Sequence, residues 1–285
     1  MTSLPKLPAS GCLKEILVHV PSEAAAAAGV IVSAVSIARP LAAHIDAVAV
    51  VEHTGGPRPL DPGGSGLETV AVFEDTAAAA ARALLRFEEA AQKAGLSFGK
   101  RLIADSADTV EQMLVRASRL HDVSIISQPD LATARNAQPQ AMLFDSGRPI
   151  LLIPRAHRAG IALDHVGICW DGGRCAARAV HDAMPLLELA GSIDIIAIDE
   201  PGTSMESSAE ALASHLARRR LKVQVRRPAC DQPSIYRAIM AVAAEAESKL
   251  LVMGGYGHSK AGRFVLGGVT REALEEMSLP TFMSF

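Results

Sequence analysis

The sequence predicts an α/β fold: two tandem βαβαβ-type units, each a five-stranded parallel sheet flanked by helices. Three observations lead there. Short apolar runs alternate with helix-length Ala-, Leu- and Glu-rich segments along the chain. Runs such as Ile125–Ile126 and Leu250–Leu251–Val252 are continuously apolar, as suits strands covered on both faces. The two halves also resemble each other. HIDAVAVVE (His44–Glu52) answers SIDIIAIDE (Ser192–Glu200), and RPILLIP (Arg148–Pro154) answers LPTFMSF (Leu279–Phe285).

The elements follow in order. Residues 1–12 are expected to be a flexible N-terminus, and 13–155 the first domain. Its strands are expected at Glu15–Val20, Ile45–Glu52, Ser97–Ala104, Val123–Ser127 and Ile150–Pro154. The uncharged run from Ala24 to Ala38 is shorter than the ~20 residues a bilayer needs and rich in weakly hydrophobic alanine, so it reads as a helix buried against a sheet. TGGPRPLDPGGSG (Thr54–Gly66) reads as a loop by its turn chemistry, and Ala77–Gly95 as a helix. A linker of about Ala156–Leu163 leads to the second domain, 164–285. Its strands are expected at Val166–Trp170, Ile193–Asp199, Lys222–Arg227, Lys249–Met253 and Pro280–Phe285, with a helix at Ser207–Arg220. Aligning Asp46 with Asp194 gives an offset of 148, and Ile126 with Val252 one of 126, so the first half carries 22 more residues. They are expected mostly in Thr54–Gly66.

Composition removes several function classes. With 49% hydrophobic and 21% charged residues the chain builds a packed core and is not a disordered one. A net charge of -3 without a long basic run argues against nucleic-acid binding and against a polybasic membrane anchor. The four cysteines, Cys12, Cys169, Cys175 and Cys230, form no CxxC and no Cys/His ladder; they read as reduced structural thiols, with no metal site expected. MTSLPKLPASG lacks a cationic start followed by an apolar stretch, so no signal peptide and a cytoplasmic location are expected.

One stretch carries candidate chemistry: LLVMGGYGHSKAGRFVLGGVT (Leu250–Thr270). Met253 closes a strand, which puts Gly254 at a strand carboxyl end, where parallel sheets bind ligands. Gly254, Gly255 and Gly257 let backbone turn and approach a ligand without Cβ interference. Gly267 and Gly268 precede the helical pattern VTREALEEM, whose start offers free N–H groups and a partial positive charge. His258, Lys260 and Arg263 lie in the intervening segment, read as a polar loop. GxxxxGK[ST] is absent, and GxGxxG follows the first strand of neither half.

The second half resembles a universal stress protein domain. That family carries Gly-x-x-Gly, nine residues, then Gly-Ser/Thr after its fourth strand; here Gly254-Gly255-Tyr256-Gly257 is followed by nine residues, His258 to Leu266, and then Gly267-Gly268. Asp171 in CWDGG (Cys169–Gly173) fits the acidic residue that the family places after its first strand. The resemblance implies two tandem Rossmann-like, adenine nucleotide alpha hydrolase-like domains. It implies ATP or a related adenine nucleotide in the second domain only, with Mg2+ as companion, Asp171 near adenine and ribose, and the glycine loop on the phosphates. It further implies a stress-response sensor or adaptor, and last strands that pair within the chain, in a pseudo-dimer able to form a homodimer.

Two departures stand out. The family's Ser/Thr position is Gly268, which removes a hydrogen bond worth about 0.5–1.5 kcal/mol. Thr270 does not replace it, because two helical positions turn a side chain by about 200°. In the first half, SIISQPDLATARNAQP (Ser124–Pro139) has no glycine, Pro129 lacks an N–H, and Pro21-Ser22 stands where Asp171-Gly172 stands in the second. The first crevice thus reads as a lost nucleotide site.

No catalytic residue is predicted. His181 and His215 sit in helical segments away from serine or cysteine motifs, and GxSxG and HExxH are absent. Trp170 and Cys169 read as core. Asp199 and Glu200 end a strand at the crevice edge, placed either to contact ribose or to repel phosphate. By resemblance the chain is at most a slow ATPase. Two alternatives stay open: a nucleotide-free scaffold or interaction protein on the same fold, and an ATP-pyrophosphatase-type or flavoprotein-like enzyme. WDGGRC (Trp170–Cys175) is a poor version of the SGGxDS loop that the enzyme would need.

Overall fold

The computed structural model describes residues 13–52, 65–129, 137–197, 206–228, 234–255, 257–260 and 263–285. The expected flexible N-terminus and most of Thr54–Gly66 lie outside them. The first half runs β1 (Glu15–His19), α1 (Ala24–Leu41), β2 (His44–Glu52), α2 (Ser65–Lys93), β3 (Phe98–Asp105), α3 (Ala107–Ser118), β4 (Val123–Ser127), α4 (Ala137–Asp145) and β5 (Ile150–Ile153). The second runs β6 (His165–Trp170), α5 (Arg174–Asp182), α6 (Met184–Leu187), β7 (Ser192–Ala197), α7 (Glu206–Arg218), β8 (Val223–Arg226), α8 (Ile235–Glu245) and β9 (Leu250–Gly254). It ends with β10 (Gly257–Lys260), β11 (Arg263–Leu266), α9 (Gly268–Glu276) and β12 (Thr281–Ser284).

All ten expected strands are present, with ends shifted by at most two residues. They form one ten-stranded sheet in the order β3-β2-β1-β4-β5-β12-β9-β6-β7-β8. Within each half the strands are parallel. The two half-sheets are not separate: β5 and β12 join them antiparallel, with Leu151 opposite Phe282. Both strands are buried along their whole length. Left unpaired, either would expose a row of N–H and C=O groups beside apolar side chains. The true outer edges are β3, where Lys100 and Arg101 are exposed, and β8, which carries Arg226. Charge on an edge strand discourages further pairing.

Helices cover both faces. One core packs α1, α2, α5, α6 and α7 on the sheet, and the other packs α3, α4, α8 and α9. Helix α1 passes the length and composition test for crossing a membrane, with mean hydropathy 1.7. Its stripe of Val30, Ala34 and Ala38, spaced one turn apart, is buried in the first core with Ala27, Ile31 and Ile37. That burial is the role expected for the uncharged alanine run. The connection after β5 lies on the same helix, where the Ile161 N–H donates to Ser36 Oγ at 2.8 Å.

Three expectations need correction. Helix α2 starts at Ser65, not Ala77, and has 29 residues against 13 in its counterpart α7. Most of the first half's excess is therefore helix rather than the Gly/Pro-rich loop. The segment read as a polar loop holds an antiparallel hairpin, with Gly257 paired to Leu266 and Lys260 to Arg263. Finally, Ile16 pairs Val123 and Val166 pairs Leu250, so Ile126 corresponds to Met253 and not to Val252.

The junction gives a direct test. Phe282 is fully buried, so Phe282→Ala is expected to cost about 3–5 kcal/mol in urea unfolding. Deleting residues 281–285 removes a strand bonded on both sides and is expected to cost more. An unchanged unfolding midpoint after the deletion contradicts this role.

Candidate functional site

β6 and β9 are neighbours and parallel, so their carboxyl ends lie side by side. That brings Asp171, just past β6, to the same edge as Gly254, the last residue of β9. The turn at Asp171 is tight: Gly172 has φ 70°, which favours glycine, and Gly173 is the N-cap of α5. Asp171 Oδ1 accepts the Gly173 N–H at 2.8 Å. The exposed carboxylate stabilises its own turn and keeps further lone pairs for a ligand.

The glycines after β9 face protein. A Cβ on Gly254 would lie 2.6 Å from Ala176 N and from Cys175 C, both in the first turn of α5. Glycine here lets the strand end pass close to a helix, and the bare side is covered. Gly255 donates its N–H to the Ser284 C=O at 2.7 Å, and a Cβ there would lie 2.6 Å from Leu143 Cδ2 of α4. The open part of the motif begins later. The Gly257–Leu266 pair closes the hairpin and returns the chain to Gly267, which caps α9. Gly267 offers no side chain to cap that helix start, and the first turn holds no acidic residue. Gly268 is exposed, with no atom of the described residues within 4 Å of where a Cβ would stand. Free N–H groups and open space are what an anion needs. His258 and Arg263 sit on the hairpin strands; their side chains lie outside the described residues, as do Asp199 and Glu200.

The first half uses the matching position differently. Gln128 follows β4 as Gly255 follows β9, and its N–H donates to the Ile153 C=O at 2.7 Å, the counterpart of the Gly255 bond. Its side chain crosses to the second half: Nε2 donates to the Leu274 and Glu275 carbonyls of α9 at 3.0 and 3.1 Å. Oε1 accepts the Arg155 N–H at 3.2 Å. This strand end thus belongs to the contact between halves. Sequence reasoning missed Gln128, because its partners are 146 and 147 residues away.

The thiols are poor nucleophiles. Burial, with Asp171 adding to it, pushes the Cys169 thiol up to about 12. Burial also raises Cys175, with Arg174 opposing and Asp171 adding. Cys12 and Cys230 lie outside the described residues. Trp170, expected in the core, is half-buried: Nε1 donates to Ser208 Oγ at 2.9 Å, and the ring borders a cavity of about 290 Å³ between α5 and α7, shared with His181, His215 and Arg219.

Two measurements separate packing from binding at this end of the sheet. Gly254→Ala is expected to destabilise by about 1–3 kcal/mol, because a backbone must move, and Gly268→Ser to stay within about 0.5 kcal/mol. Equal effects in chemical denaturation contradict the assignment. The second concerns His19, whose Nε2 is enclosed without a hydrogen-bond partner among the described residues. Burial holds its imidazole down to about 4 from 6.5, so the fold favours the neutral ring. Its contribution is complete above 6.5 and is lost as pH falls from 6.5 through 4, on the order of 3 kcal/mol. His19→Leu is expected to flatten the loss of stability between pH 7.5 and 4.5; an unchanged slope contradicts it.

No protein-family model matches the sequence, and no curated protein matches it. Solved structures do. A universal stress protein from Archaeoglobus fulgidus DSM 4304 superposes with a TM-score of 0.70 at 16% identity, over 94% of this chain and 97% of that one. A protein from Pseudomonas aeruginosa UCBPP-PA14 assigned to the universal stress proteins gives 0.58 at 13%, over 95% and 93%. The cytoplasmic domain of a prokaryotic cation chloride cotransporter gives 0.50 at 12%, over 95% and 94%. Identities this low speak for the fold alone, and the chain has the fold of the two-domain universal stress proteins.

Proposed function

We propose that this is a tandem universal stress protein, with domains at 13–155 and 164–285, whose second domain binds ATP or a related adenine nucleotide. It acts in the cytoplasm as a stress-response sensor or adaptor. The observation that carries this reading is the start of α9: a helix N-terminus with glycine as its N-cap and, among the described residues, open space at Gly268, reached from β9 by a hairpin of the family's spacing. The Gly267 and Gly268 backbone would hold phosphate, together with Gly257, His258 and Arg263 on the hairpin. Asp171 would take ribose or adenine donors, and Mg2+ would accompany the phosphates. Asp171 already accepts from Gly173, which suits it to positioning rather than to activating water. Turnover is therefore slow at most.

One observation favours a nucleotide-free scaffold instead. Gly254 and Gly255, the first glycines of the motif, are covered by α5 and α4. On either reading protein partners carry the signal. A homodimer would need a surface other than β5 and β12, which bind each other.

Calorimetry on protein stripped of ligand tests the proposal. ATP is expected to bind with a micromolar constant, and Gly257→Val to abolish binding. Gly268→Ser is expected to tighten binding about 2- to 10-fold by restoring one hydrogen bond. No heat with either wild type or Gly268→Ser, and no nucleotide released from unstripped protein, overturns the proposal in favour of the scaffold.

A further inference from the structure

At the opposite edge of the first half, the amino end of its strands, four chemistry-bearing side chains meet. Glu15 pairs in register with His44, and Leu17 with Asp46, so Glu15, His44 and Asp46 project to one face of the sheet. Leu17 packs in the core that α3 also joins, which identifies the face. Helix α3 ends there and delivers His121, which is buried. One ligand atom each from Glu15, Asp46 and His121 lie within 4.8 Å of one another.

The hydrogen bonds orient this cluster. His121 Nδ1 stands 2.8 Å from the Ala117 C=O, which can only accept, so Nδ1 carries a proton. That directs Nε2 at Asp46 Oδ2, 3.2 Å away. His44 Nε2 lies 3.3 Å from the other oxygen, Oδ1, and His44 Nδ1 is anchored 2.8 Å from Ser97 Oγ. Gly99, beside Asp46 in register, leaves the space that Oδ1 occupies. Asp122 accepts the Lys14 and Glu15 N–H groups at 2.7 and 3.0 Å, which fixes the backbone that presents Glu15. The result is two carboxylates and an aimed imidazole nitrogen around one point.

The second half solves the same electrostatic problem differently. Asp194 occupies the place of Asp46 and is buried, and its carboxylate is held by Arg226 and Gln224 on the neighbouring strand. Gln224 stands where Gly99 stands in the first half, and Arg226 where the exposed Arg101 stands. Where the second half has a guanidinium and an amide, the first has a gap ringed with histidine and carboxylate.

We propose that Glu15, Asp46 and His121 bind a divalent transition-metal ion of the Zn2+ class, with His44 holding the second oxygen of Asp46. Two carboxylates balance a divalent charge, and the mixed N/O donors suit Zn2+ better than Ca2+ or Mg2+. Ligands at about 2.0–2.2 Å from a tetrahedral ion stand about 3.3–3.6 Å apart. The 3.2 Å between His121 Nε2 and Asp46 Oδ2 is just short of that edge, so a small opening of the pair admits the ion. The Nδ1–H to carbonyl bond is the usual outer support of a metal-bound histidine. Glu15, which is exposed, swings in as the third ligand and leaves a fourth position for water. The ion would tie β1, β2 and the α3–β4 turn together, so that metal stabilises the first half.

The test uses the full chain after chelator treatment and dialysis, titrated with Zn2+ by calorimetry and with Co2+ by visible absorption. One site per chain is expected, with four-coordinate Co2+ bands and a Tm that rises with added Zn2+. Glu15→Gln and His121→Gln are expected to weaken binding by more than about 100-fold, and His44→Gln by about 10–100-fold. The Glu15 change is at an exposed residue and decides the matter even if His121→Gln fails to fold. Absence of binding by the wild type leaves only a histidine–carboxylate pair and overturns the site. Affinity and Tm shift unchanged in Glu15→Gln place the metal elsewhere and overturn it equally.

Discussion

The antiparallel pairing of β5 with β12 is the constraint on which the rest depends. It places β12 between β5 and β9, so the last strand of the chain holds two half-sheets together. Contacts across that seam then come in matched pairs. Gln128 of the first half reaches the end of α9, and Leu143 of α4 covers Gly255 of the second. Phe285 lies edge-on to Phe144 at 4.8 Å, with the Arg174 guanidinium 5.0 Å from its ring centre. The loop that would hold a nucleotide in the second half therefore starts against a helix of the first. A lone second half would lack Leu143 and Gln128, and with them part of the support for its own crevice.

Much of this was legible in the sequence, for a simple reason. Strands buried on both faces must be continuously apolar, and Ile125–Ile126 and Leu250–Leu251–Val252 leave few other readings. The start of α2 was hidden because its first two residues, Ser65 and Gly66, sit in a Gly/Pro-rich stretch that local chemistry marks as loop. The β10–β11 hairpin was hidden because glycine and polar residues in that segment carry no strand pattern. The spacing of the glycine motif was visible, but not what each glycine faces. That Gly254 meets α5 depends on a helix 79 residues earlier in the chain, counted from Cys175. The cluster of Glu15, Asp46 and His121 has no sequence spacing at all and exists only through strand register and the end of α3.

The two halves place different side chains at corresponding positions of one scaffold. At the crevice edge, Asp171-Gly172 faces Pro21-Ser22 as its counterpart, and Gly255 faces Gln128. At the other edge, the Arg226-bound Asp194 has the histidine-ringed Asp46 as its counterpart. The backbone scaffold is the same in each case, and the change lies in what neutralises or occupies a position. On the proposed function, a single chain holds an anion in one half and uses the corresponding surface of the other for packing. Two identical subunits could not divide the work in that way.

Hydrogen–deuterium exchange with and without ATP, on the full chain, tests this division of labour most directly. The account predicts slower exchange around Asp171–Ala176 and from Gly254 to Thr270, with no change around Pro21–Ala24 or at Gln128. Protection of the first-half segments, or an exchange pattern indifferent to ATP throughout, would contradict it.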